Sequence, residues 1–404
     1  MTPLDETASF LSLERVGTLE EPNRAAQILR LTRKLCGWCA ETFPGSQPVS
    51  LNRSNFQAIA RNPYVACEKT DGIRYLLLAI DVETAATEAS DTVGISALFL
   101  IDRNETVQRV PIHLPTREDV LKSHHKSLFD GEMVVPTNLF WLQDFIQDAE
   151  GRIQKRLRYL IYDAICILGD TSIMKYNLMQ RLSTAHREVI RPLIDYLKLH
   201  KGEVETWPFD IYMKDFFEVW DISNIGKIAS SLPHFSDGII FTAVRPPYTP
   251  GTCSDLIKWK PPHLNTGMHI FKGLLAPYGE TYKELLQEKG GKMDRTVVEC
   301  YWVPEAPVYT FVPNEILQPS KKNSTDEIMT RSDDDKEGRW FEGGWVAERI
   351  RRDKMTANAH HVVKKVIESI EDGISYEELV FKFESLKKEG KPSVANFIAV
   401  QRNT

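Results

Sequence analysis

Short apolar runs alternate with polar turns through most of the chain. The runs between residues 64 and 259 cover residues 64–67, 76–80, 95–101, 133–135, 160–168, 239–244 and 256–259. Apolar runs of this length, bounded by turn residues, predict β-strands. Because few long helical patterns separate them, we predict an α+β domain built on antiparallel sheets.

Helical spacing of apolar residues occurs near both ends of the chain. Ile28, Leu31, Leu35 and Trp38 predict a helix over residues 21–42, after a flexible leader at 1–20, and residues 376–386 predict an amphipathic C-terminal helix. Cys36 and Cys39 form a C-x-x-C pair in the first helix. A tetrahedral zinc site needs a second ligand pair, and the sequence has none, so we interpret both as ordinary helix cysteines.

Composition narrows the class of protein. With 404 residues, 42% hydrophobic content and a net charge of −6, the chain predicts two folded domains without an overall basic surface. No run approaches the roughly 18 apolar residues of a membrane span, and MTPLDETASF lacks the basic and apolar regions of a signal peptide. Six cysteines do not make a disulfide framework in so long a chain. We expect an intracellular protein with reduced cysteines and no membrane partner.

The strongest candidate for chemistry is Lys69. It begins the polar turn KTDG, which lies between two β-prone segments and predicts strand, turn, strand. A lysine attacks phosphorus only as the neutral amine, so neighbouring cations or desolvation must lower its pKa. Arg74 is such a cation close in sequence.

Further polar motifs follow Lys69 along the chain. The sequence Asp130-Gly131-Glu132 places a carboxylate at the predicted start of a strand, where it suits ribose hydroxyls. Tyr162, in RYLIYD, offers a ring face on which a purine can stack. Asp237 precedes a turn glycine, where its oxygens would hold Mg²⁺ directly or through water.

Two basic clusters complete the pattern. Lys258 and Lys260 lie two apart on a predicted strand, so both point to one face while Trp259 points to the other. Residues 345–354 concentrate cations around one aspartate, in the order Arg349, Ile350, Arg351, Arg352, Asp353 and Lys354. Each motif alone has an ordinary explanation as a turn, core filler or charged surface. Their joint occurrence in this order favours a nucleotide site.

The ordered set resembles the mRNA capping enzymes, in particular the fungal-type monofunctional guanylyltransferases. These belong to the covalent nucleotidyltransferase superfamily, which also contains the ATP-dependent DNA and RNA ligases. The segments that carry the resemblance are EKTDGIR, LIDR ending at Arg103, DGE, RYLIYD, SDGIIFT, LIKWKP and the W-x-x-x-R-x-R-x-D-K pattern of 345–354.

The resemblance implies a role for each matching residue. Lys69 would attack the α-phosphorus of GTP and carry GMP, Tyr162 would stack on guanine, and Asp237 would assist Mg²⁺ or Mn²⁺. The implied GTP-binding residues are Arg74, Arg103, Asp130, Gly131, Glu132, Tyr162, Lys258, Trp259, Lys260, Arg349, Ile350, Arg351, Arg352, Asp353 and Lys354. The acceptor would be the 5′-diphosphate end of nascent mRNA, giving the GpppN cap.

The resemblance also implies the domain organisation. A nucleotidyltransferase domain would span 21–262, followed by an OB-fold β-barrel domain at 263–356 and a C-terminal helical segment at 357–404. The polar stretch 318–338 predicts a disordered insert in the second domain.

The implied partners follow from what this sequence lacks and from the family. No Cys-x5-Arg signature occurs and only one E-x-E pair, Glu203 and Glu205, so we expect a separate RNA 5′-triphosphatase. The family resemblance further implies a nuclear location and the phosphorylated C-terminal domain of RNA polymerase II as a partner.

Two other functions are compatible with parts of the pattern. An ATP-dependent polynucleotide ligase shares K-x-D-G, but KWKP and the R-x-R-x-D-K ending are of the capping type. A non-catalytic binding module would keep the fold without the chemistry, and the filled catalytic positions argue against it.

Overall fold

The structure is a computed structural model of the 404-residue chain. It describes residues 16–81, 97–136, 145–147, 153–204, 206–229, 231–261, 266–270, 297–303, 309–313, 338–342, 344–350, 366, 368–370 and 372–388. The chain divides into two compact units, Met1–Trp259 with Glu377–Thr404, and Lys260–Tyr376.

Strands provide most of the regular structure. In the first unit they are β1 (Thr18–Leu19), β2 (Gln47–Ser50), β3 (Tyr64–Thr70), β4 (Ile73–Ile80), β5 (Ala97–Ile101), β6 (Val107–Val110), β7 (Ser127–Val134), β8 (Phe145–Gln147), β9 (Ile153–Lys155), β10 (Leu157–Cys166), β11 (Phe209–Met213), β12 (Phe217–Glu218), β13 (Ser236–Ala243) and β14 (Thr252–Trp259). The described strands of the second unit are β15 (Thr266–Ile270), β16 (Val297–Val303), β17 (Tyr309–Pro313), β18 (Gly338–Glu342) and β19 (Gly344–Ile350).

Seven α-helices lie in the described part of the chain. They are α1 (Pro22–Leu35), α2 (Phe56–Arg61), α3 (Leu178–Ala185), α4 (Arg191–Leu199), α5 (Lys201–Val204), α6 (Ile222–Ala229) and α7 (Tyr376–Lys388). A π-helical turn, His186–Ile190, joins α3 to α4, and 3₁₀ turns cover Thr171–Lys175 and Val219–Asp221. None of the helices that the structure describes is long and apolar enough to cross a membrane.

Two sheets form the first unit. The seven-stranded sheet has the order β1-β6-β5-β4-β7-β10-β11, and the five-stranded sheet has the order β12-β3-β13-β14-β2. Most pairs are antiparallel; β10 with β11 and β14 with β2 are parallel. The predicted α+β class with antiparallel-rich sheets is therefore confirmed.

The consecutive strands β3 and β4 lie in different sheets. β3 pairs with β12 and β13, whereas β4 pairs with β5 and β7. The strand, turn, strand prediction is confirmed, but Lys69 lies within β3 and not in the turn, which is Asp71-Gly72. The chain therefore crosses from one sheet to the other directly after Lys69.

The seven-stranded sheet is covered on both faces, which explains the unbroken apolar run of β4. Leu77 points into a core that contains Val189 and Leu193 from the helical turns. Leu76 points into the opposite core, which contains Ile28 and Leu35 of α1. A strand buried on both faces shows no polar alternation, because neither face meets water.

Helix α1 ends earlier than its apolar spacing predicts. It stops at Leu35, and Gly37 adopts a φ of +61°, a left-handed conformation that terminates helices. The predicted boundary at residue 42 is therefore wrong, and Cys39 lies beyond the helix, while Cys36 is its C-cap. All six cysteines are free thiols. The Pro/Gly-rich segment 43–51 contains strand β2.

The C-terminal helix α7 is confirmed and packs on the five-stranded sheet. Phe383 is fully buried, and its ring centroid lies 5.0 Å from that of Phe56 and 5.4 Å from that of Phe241. Arg53 also donates to Glu378 at 2.8 Å. The helix therefore completes the core of the first unit.

The second unit is a β structure in its described part. A three-stranded antiparallel sheet has the order β15-β16-β19, and β17 pairs with β18. Val297, Val298 and Cys300 of β16 are buried. The predicted disordered stretch, 318–338, lies almost wholly outside the described residues, and the OB-fold stays a prediction.

Candidate active site

A cleft in the first unit collects residues from both sheets. It encloses about 990 Å³, including its open mouth. Six of the residues singled out in the sequence line it together: Lys69, Arg74, Arg103, Asp130, Glu132 and Tyr162. Strand β3 contributes one wall and strands β4, β7 and β10 another, because the chain changes sheets at Asp71-Gly72. Cationic, anionic and aromatic side chains thus converge in one cleft.

Lys69 is held by an ion pair across two adjacent strands. Its Nζ lies 2.5 Å from Oδ1 of Asp237 on β13. Lys69 pairs with Gly238 in the ladder, while Thr70 pairs with Ser236, so Asp237 is the extra residue of a β-bulge. A bulge redirects the side chain of the inserted residue. The sequence predicted that Asp237 precedes a turn. Asp237 instead lies within strand β13.

The environment of Lys69 is acidic, contrary to the sequence prediction. Burial lowers the pKa of Lys69, but Asp237, then Glu132 and Asp71, outweigh it, so its pKa is raised above the ordinary value. Arg74 does not supply the predicted compensation, since its charge is already paired. In this structure Lys69 is therefore an ammonium ion held by a carboxylate.

Asp130 is the centre of a buried hydrogen-bond cluster. Arg74 donates from Nε to Oδ1 at 2.8 Å and from Nη2 to Oδ2 at 2.5 Å. The Tyr162 hydroxyl donates to Oδ1 at 2.8 Å, and the Tyr248 hydroxyl donates to Oδ2 at 2.6 Å. Four donors match the roughly four lone-pair sites of a carboxylate, and Asp130 is fully buried. The cluster is charge-balanced and fixes Tyr162 by its hydroxyl end.

The D-G-E motif lies inside β7 and not at the start of a strand. A Cβ at Gly131 would lie 2.5 Å from Cζ of Tyr159 and 2.7 Å from the carbonyl oxygen of Leu160, so only glycine allows β10 to approach. Glu132 accepts from the backbone N–H of Gly72 at 3.2 Å. This contact orients the Glu132 carboxylate beside the Lys69 turn.

A second charged cluster in the cleft was missed by the sequence reasoning. Lys214 is buried, lies 2.9 Å from Oε1 of Glu68 and donates to the Thr70 hydroxyl. His234 Nε2 lies 3.4 Å from the same Glu68 oxygen. Glu68 and Thr70 flank Lys69 on β3, so these contacts brace the strand. A single lysine after a strand gives no sequence signal for such a role.

Asp163 and Arg181 form another missed pair at the cleft. Arg181 donates from Nε to Asp163 Oδ1 at 2.6 Å and from Nη2 to Oδ2 at 2.8 Å. Its Nη1 donates to the carbonyl oxygens of Tyr176 and Pro246. The pair therefore ties β10 to α3 and to the loop that carries Tyr248. The one sequence signal for this pair was the RYLIYD motif, whose last residue is Asp163.

The sequence predicted that Lys258 and Lys260 share one face of a strand, and the structure confirms the strand position only for Lys258. Lys258 pairs with Ile240 in the β13–β14 ladder, and Ile240 and Leu256 line the cleft. Alternation therefore places Lys258 on the face that the cleft shares, while Trp259 is buried. Strand β14 ends at Trp259, so Lys260 lies just beyond the strand, contrary to the prediction.

The remaining predicted residues belong to the second unit. Arg349 and Ile350 end β19, where Arg349 pairs with Glu299 and Ile350 pairs with Val298. Arg351, Arg352, Asp353 and Lys354 lie outside the described residues. Among the residues that the structure describes, no group of three or more His, Cys, Asp or Glu side chains is arranged to hold a metal ion.

Comparisons with known proteins identify the class and then the family. A half-buried lysine on a strand, placed with an aromatic ring and carboxylates in a cleft between antiparallel sheets, fits a nucleotidyltransferase-type fold. The profile of the mRNA capping enzyme catalytic domain matches residues 12–262, and that of the mRNA capping enzyme C-terminal domain matches residues 263–380. The chain belongs to the mRNA capping enzyme family.

Curated relatives agree with this membership. The chain is 31% identical over 382 residues to mRNA-capping enzyme subunit alpha of Schizosaccharomyces pombe, covering 89% of this chain and 86% of that protein. It is 30% identical to the Saccharomyces cerevisiae protein of the same name, covering 84% and 78%. The ATP-dependent DNA ligase from bacteriophage T7, in complex with ATP, has a TM-score of 0.34 and 14% identity, covering 66% and 95%. A similarity at that level carries no conclusion about function.

Proposed function

We propose that the protein is an mRNA guanylyltransferase that transfers GMP from GTP, through a covalent Lys69 intermediate, to the 5′-diphosphate end of nascent mRNA. The observation that carries this proposal is the position of Lys69. Its amino group lies 2.5 Å from the Asp237 carboxylate, and Lys69 lines the same cleft as Arg103, Glu132 and Tyr162. Membership of the mRNA capping enzyme family supports it.

The first half-reaction is an in-line displacement at the α-phosphorus. The Lys69 Nζ lone pair forms the P–N bond while the bond from the α-phosphorus to the bridging oxygen breaks and pyrophosphate leaves. Lys69 must first lose a proton, and Asp237 is the group to which it is hydrogen-bonded at 2.5 Å. The neutral amine is then the nucleophile.

The cleft offers matching groups for the rest of the nucleotide. Tyr162 and Ile240 both line it and would take the guanine ring between an aromatic and an aliphatic side chain. Glu132 would accept from the ribose hydroxyls, with Arg103 and Lys258 near the phosphates. Arg74 has its charge committed to Asp130, so its part is to hold the cluster that carries Tyr162.

A divalent cation fits the donor set beside Lys69. Mg²⁺ is commonly bound by one or two carboxylates together with substrate phosphates, and Mn²⁺ accepts the same oxygen ligands. Asp237 supplies a partly buried carboxylate at this position. When bound, the ion would neutralise phosphate charge as pyrophosphate departs.

In the second half-reaction the terminal phosphate of a 5′-diphosphate RNA attacks the lysine-bound phosphorus. The P–N bond breaks, Lys69 regains a proton and the GpppN end is released. In our proposal the cations of 349–354, in an OB-fold domain, act on the β- and γ-phosphates of GTP. We also propose that a separate protein carries out the RNA 5′-triphosphatase step. The phosphorylated C-terminal domain of RNA polymerase II is the proposed partner, and the proposed location is the nucleus.

The test is formation of the covalent adduct. The wild-type protein is incubated with [α-³²P]GTP and a divalent cation, and the labelled peptide is mapped. We expect label on Lys69, none in Lys69→Ala or Lys69→Arg, and unchanged labelling in Lys198→Ala, whose exposed lysine pairs with Asp195. Labelling that persists in Lys69→Ala would exclude Lys69 as the nucleophile.

The same assay separates the ligase alternative. Parallel incubations with [α-³²P]GTP and [α-³²P]ATP report which nucleotide forms the adduct. We expect GTP alone to label the protein. Labelling by ATP alone would instead establish the polynucleotide ligase, and no label from either nucleotide would leave only a binding module.

A further inference from the structure

The hydroxyl of Tyr248 links a loop outside the nucleotide motifs to the ring on which guanine is proposed to stack. It donates to Oδ2 of Asp130 at 2.6 Å and accepts from the backbone N–H of Ser46 at 2.9 Å. The Tyr162 hydroxyl donates to the other oxygen of the same carboxylate at 2.8 Å. The two tyrosines are therefore joined through one buried anion.

Packing around this carboxylate leaves little freedom. Tyr248 is 5% exposed, and its backbone N–H donates to the carbonyl oxygen of Met174 at 2.8 Å. The rings of Phe43 and Tyr162 lie 5.4 and 5.8 Å from the Arg74 guanidinium carbon. A Cβ at Gly45 would lie 2.8 Å from Nη2 of Arg74, so the 43–46 loop passes directly over the cluster.

We propose that Tyr248 is a positioning residue for nucleotide binding: through Asp130 it fixes the Tyr162 ring in the orientation that stacks on the base. The inference rests on the proposed function of the cleft. Tyr162 is partly exposed, and its hydroxyl donates to Asp130 at 2.8 Å, so the direction of its ring depends on where the Asp130 carboxylate points. Tyr248 and Arg74 set that direction.

Binding of the base and binding of the triphosphate should respond differently to the loss of the Tyr248 hydroxyl. If Tyr248 acts through the Tyr162 ring, its removal weakens binding of the base and leaves binding of the triphosphate unchanged. If Tyr248 merely holds the fold together, both weaken equally. Inorganic tripolyphosphate lacks a base, so its dissociation constant reports on triphosphate binding alone.

The experiment measures dissociation constants for GTP and for tripolyphosphate in a Lys69→Ala background, where no adduct forms. For Tyr248→Phe we expect the GTP dissociation constant to rise about tenfold, a size typical of lost base stacking, with no change for tripolyphosphate. Tyr176→Phe is the matched control, since Tyr176 is 41% exposed and does not line the cleft. It should bind both ligands like the parent.

A double variant tests the route through Asp130. Tyr162→Phe removes the other hydroxyl, so Tyr162→Phe with Tyr248→Phe should weaken GTP less than the product of the two single effects. Multiplicative effects, or equal loss of GTP and tripolyphosphate, would overturn the proposal. Thermal unfolding reports whether Tyr248→Phe folds. If it does not, the dissociation constants of Tyr162→Phe for GTP and tripolyphosphate replace it: a weaker GTP constant with an unchanged tripolyphosphate constant is expected, and equal weakening of both would overturn the proposal.

The outcome is separable from the proposed function. If the Lys69→Ala parent binds no GTP and the wild type takes no label, the guanylyltransferase proposal fails. If the wild type is labelled by GTP and Tyr248→Phe binds GTP like the parent, only the role of Tyr248 is refuted.

Discussion

Lys69 Nζ and Asp237 Oδ1 lie 2.5 Å apart, joined across adjacent strands by a β-bulge that places Asp237 beside the amine. The candidate nucleophile is thus held in its protonated form, which cannot attack phosphorus. The carboxylate that fixes the position of the amine also opposes its activation. Loss of the Lys69 proton is therefore a necessary step of the proposed reaction.

The first prediction concerns the pH dependence of adduct formation. Because the pKa of Lys69 is raised, the neutral amine is a minor species near pH 7 and its fraction rises about tenfold per pH unit. We expect the single-turnover rate of labelling by GTP to follow this rise between about pH 6 and 8. A rate that is flat over this range would contradict the ammonium ground state.

Asp237→Asn provides the companion measurement. Removing the negative charge lowers the pKa of Lys69, so the rise of the profile moves to lower pH, even where the maximal rate falls through loss of the carboxylate. A profile that keeps its position in Asp237→Asn would mean that another group controls the proton.

The second prediction concerns the buried pair of Asp163 and Arg181. Their side chains are 11% and 3% exposed, so Asp163→Asn leaves a buried guanidinium without its counter-charge. We expect this to lower the free energy of unfolding by about 3 to 5 kcal/mol in urea titrations. Asp195→Asn is the control, since its pair with Lys198 is exposed and should change stability by less than about 1 kcal/mol. An equal loss of unfolding free energy in Asp163→Asn and Asp195→Asn would contradict a stabilising role for the buried pair.

The third prediction concerns His124 and acid stability. Burial lowers the pKa of His124 to about 4, while its ring contacts the Ser127 hydroxyl and the Glu188 carbonyl oxygen. The unfolded chain therefore binds a proton before the folded one, and stability falls as the pH drops from about 6.5 to about 4. We expect a loss of about 3 kcal/mol across this window.

His124→Gln supplies the control for that window. It removes the titrating ring, so the difference in unfolding free energy between pH 7 and pH 4 should shrink by the His124 contribution, whatever the variant costs at neutral pH. An unchanged pH dependence in the variant would show that other groups account for the acid sensitivity.

The fourth prediction concerns the basic motif of the second unit. If the cations of 349–354 act on the leaving pyrophosphate, Arg349→Ala should slow labelling by GTP about 100-fold or more. Discharge of pre-loaded GMP to 5′-diphosphate RNA should remain, because no pyrophosphate leaves in that step. Arg339→Ala is the control, since Arg339 lies on β18, which precedes β19 in sequence and pairs with β17 in a separate sheet. Equal loss of both steps in Arg349→Ala would argue against a role at the leaving group.

Local sequence patterns were enough to predict most strands and the residue types of the site. Apolar runs predicted the strands because a strand buried on one or both faces must be apolar there. The polar residues after the first run also predicted the turn, which the structure places at Asp71-Gly72 between β3 and β4. The ordered motifs, from KTDG to the basic stretch 345–354, also indicated the family. Local patterns carry this information because strands and turns depend on neighbouring residues.

Which of these side chains contact one another follows from the three-dimensional fold alone. The sequence cannot show that β3 and β4 enter different sheets, that Asp130 takes Arg74 away from Lys69, or that Tyr248 and Lys214 join the cleft from remote loops. Nor does it show that Gly37 ends α1 early. Charge pairing and pKa values depend on distances through space between residues far apart in the chain, and folding alone fixes those distances.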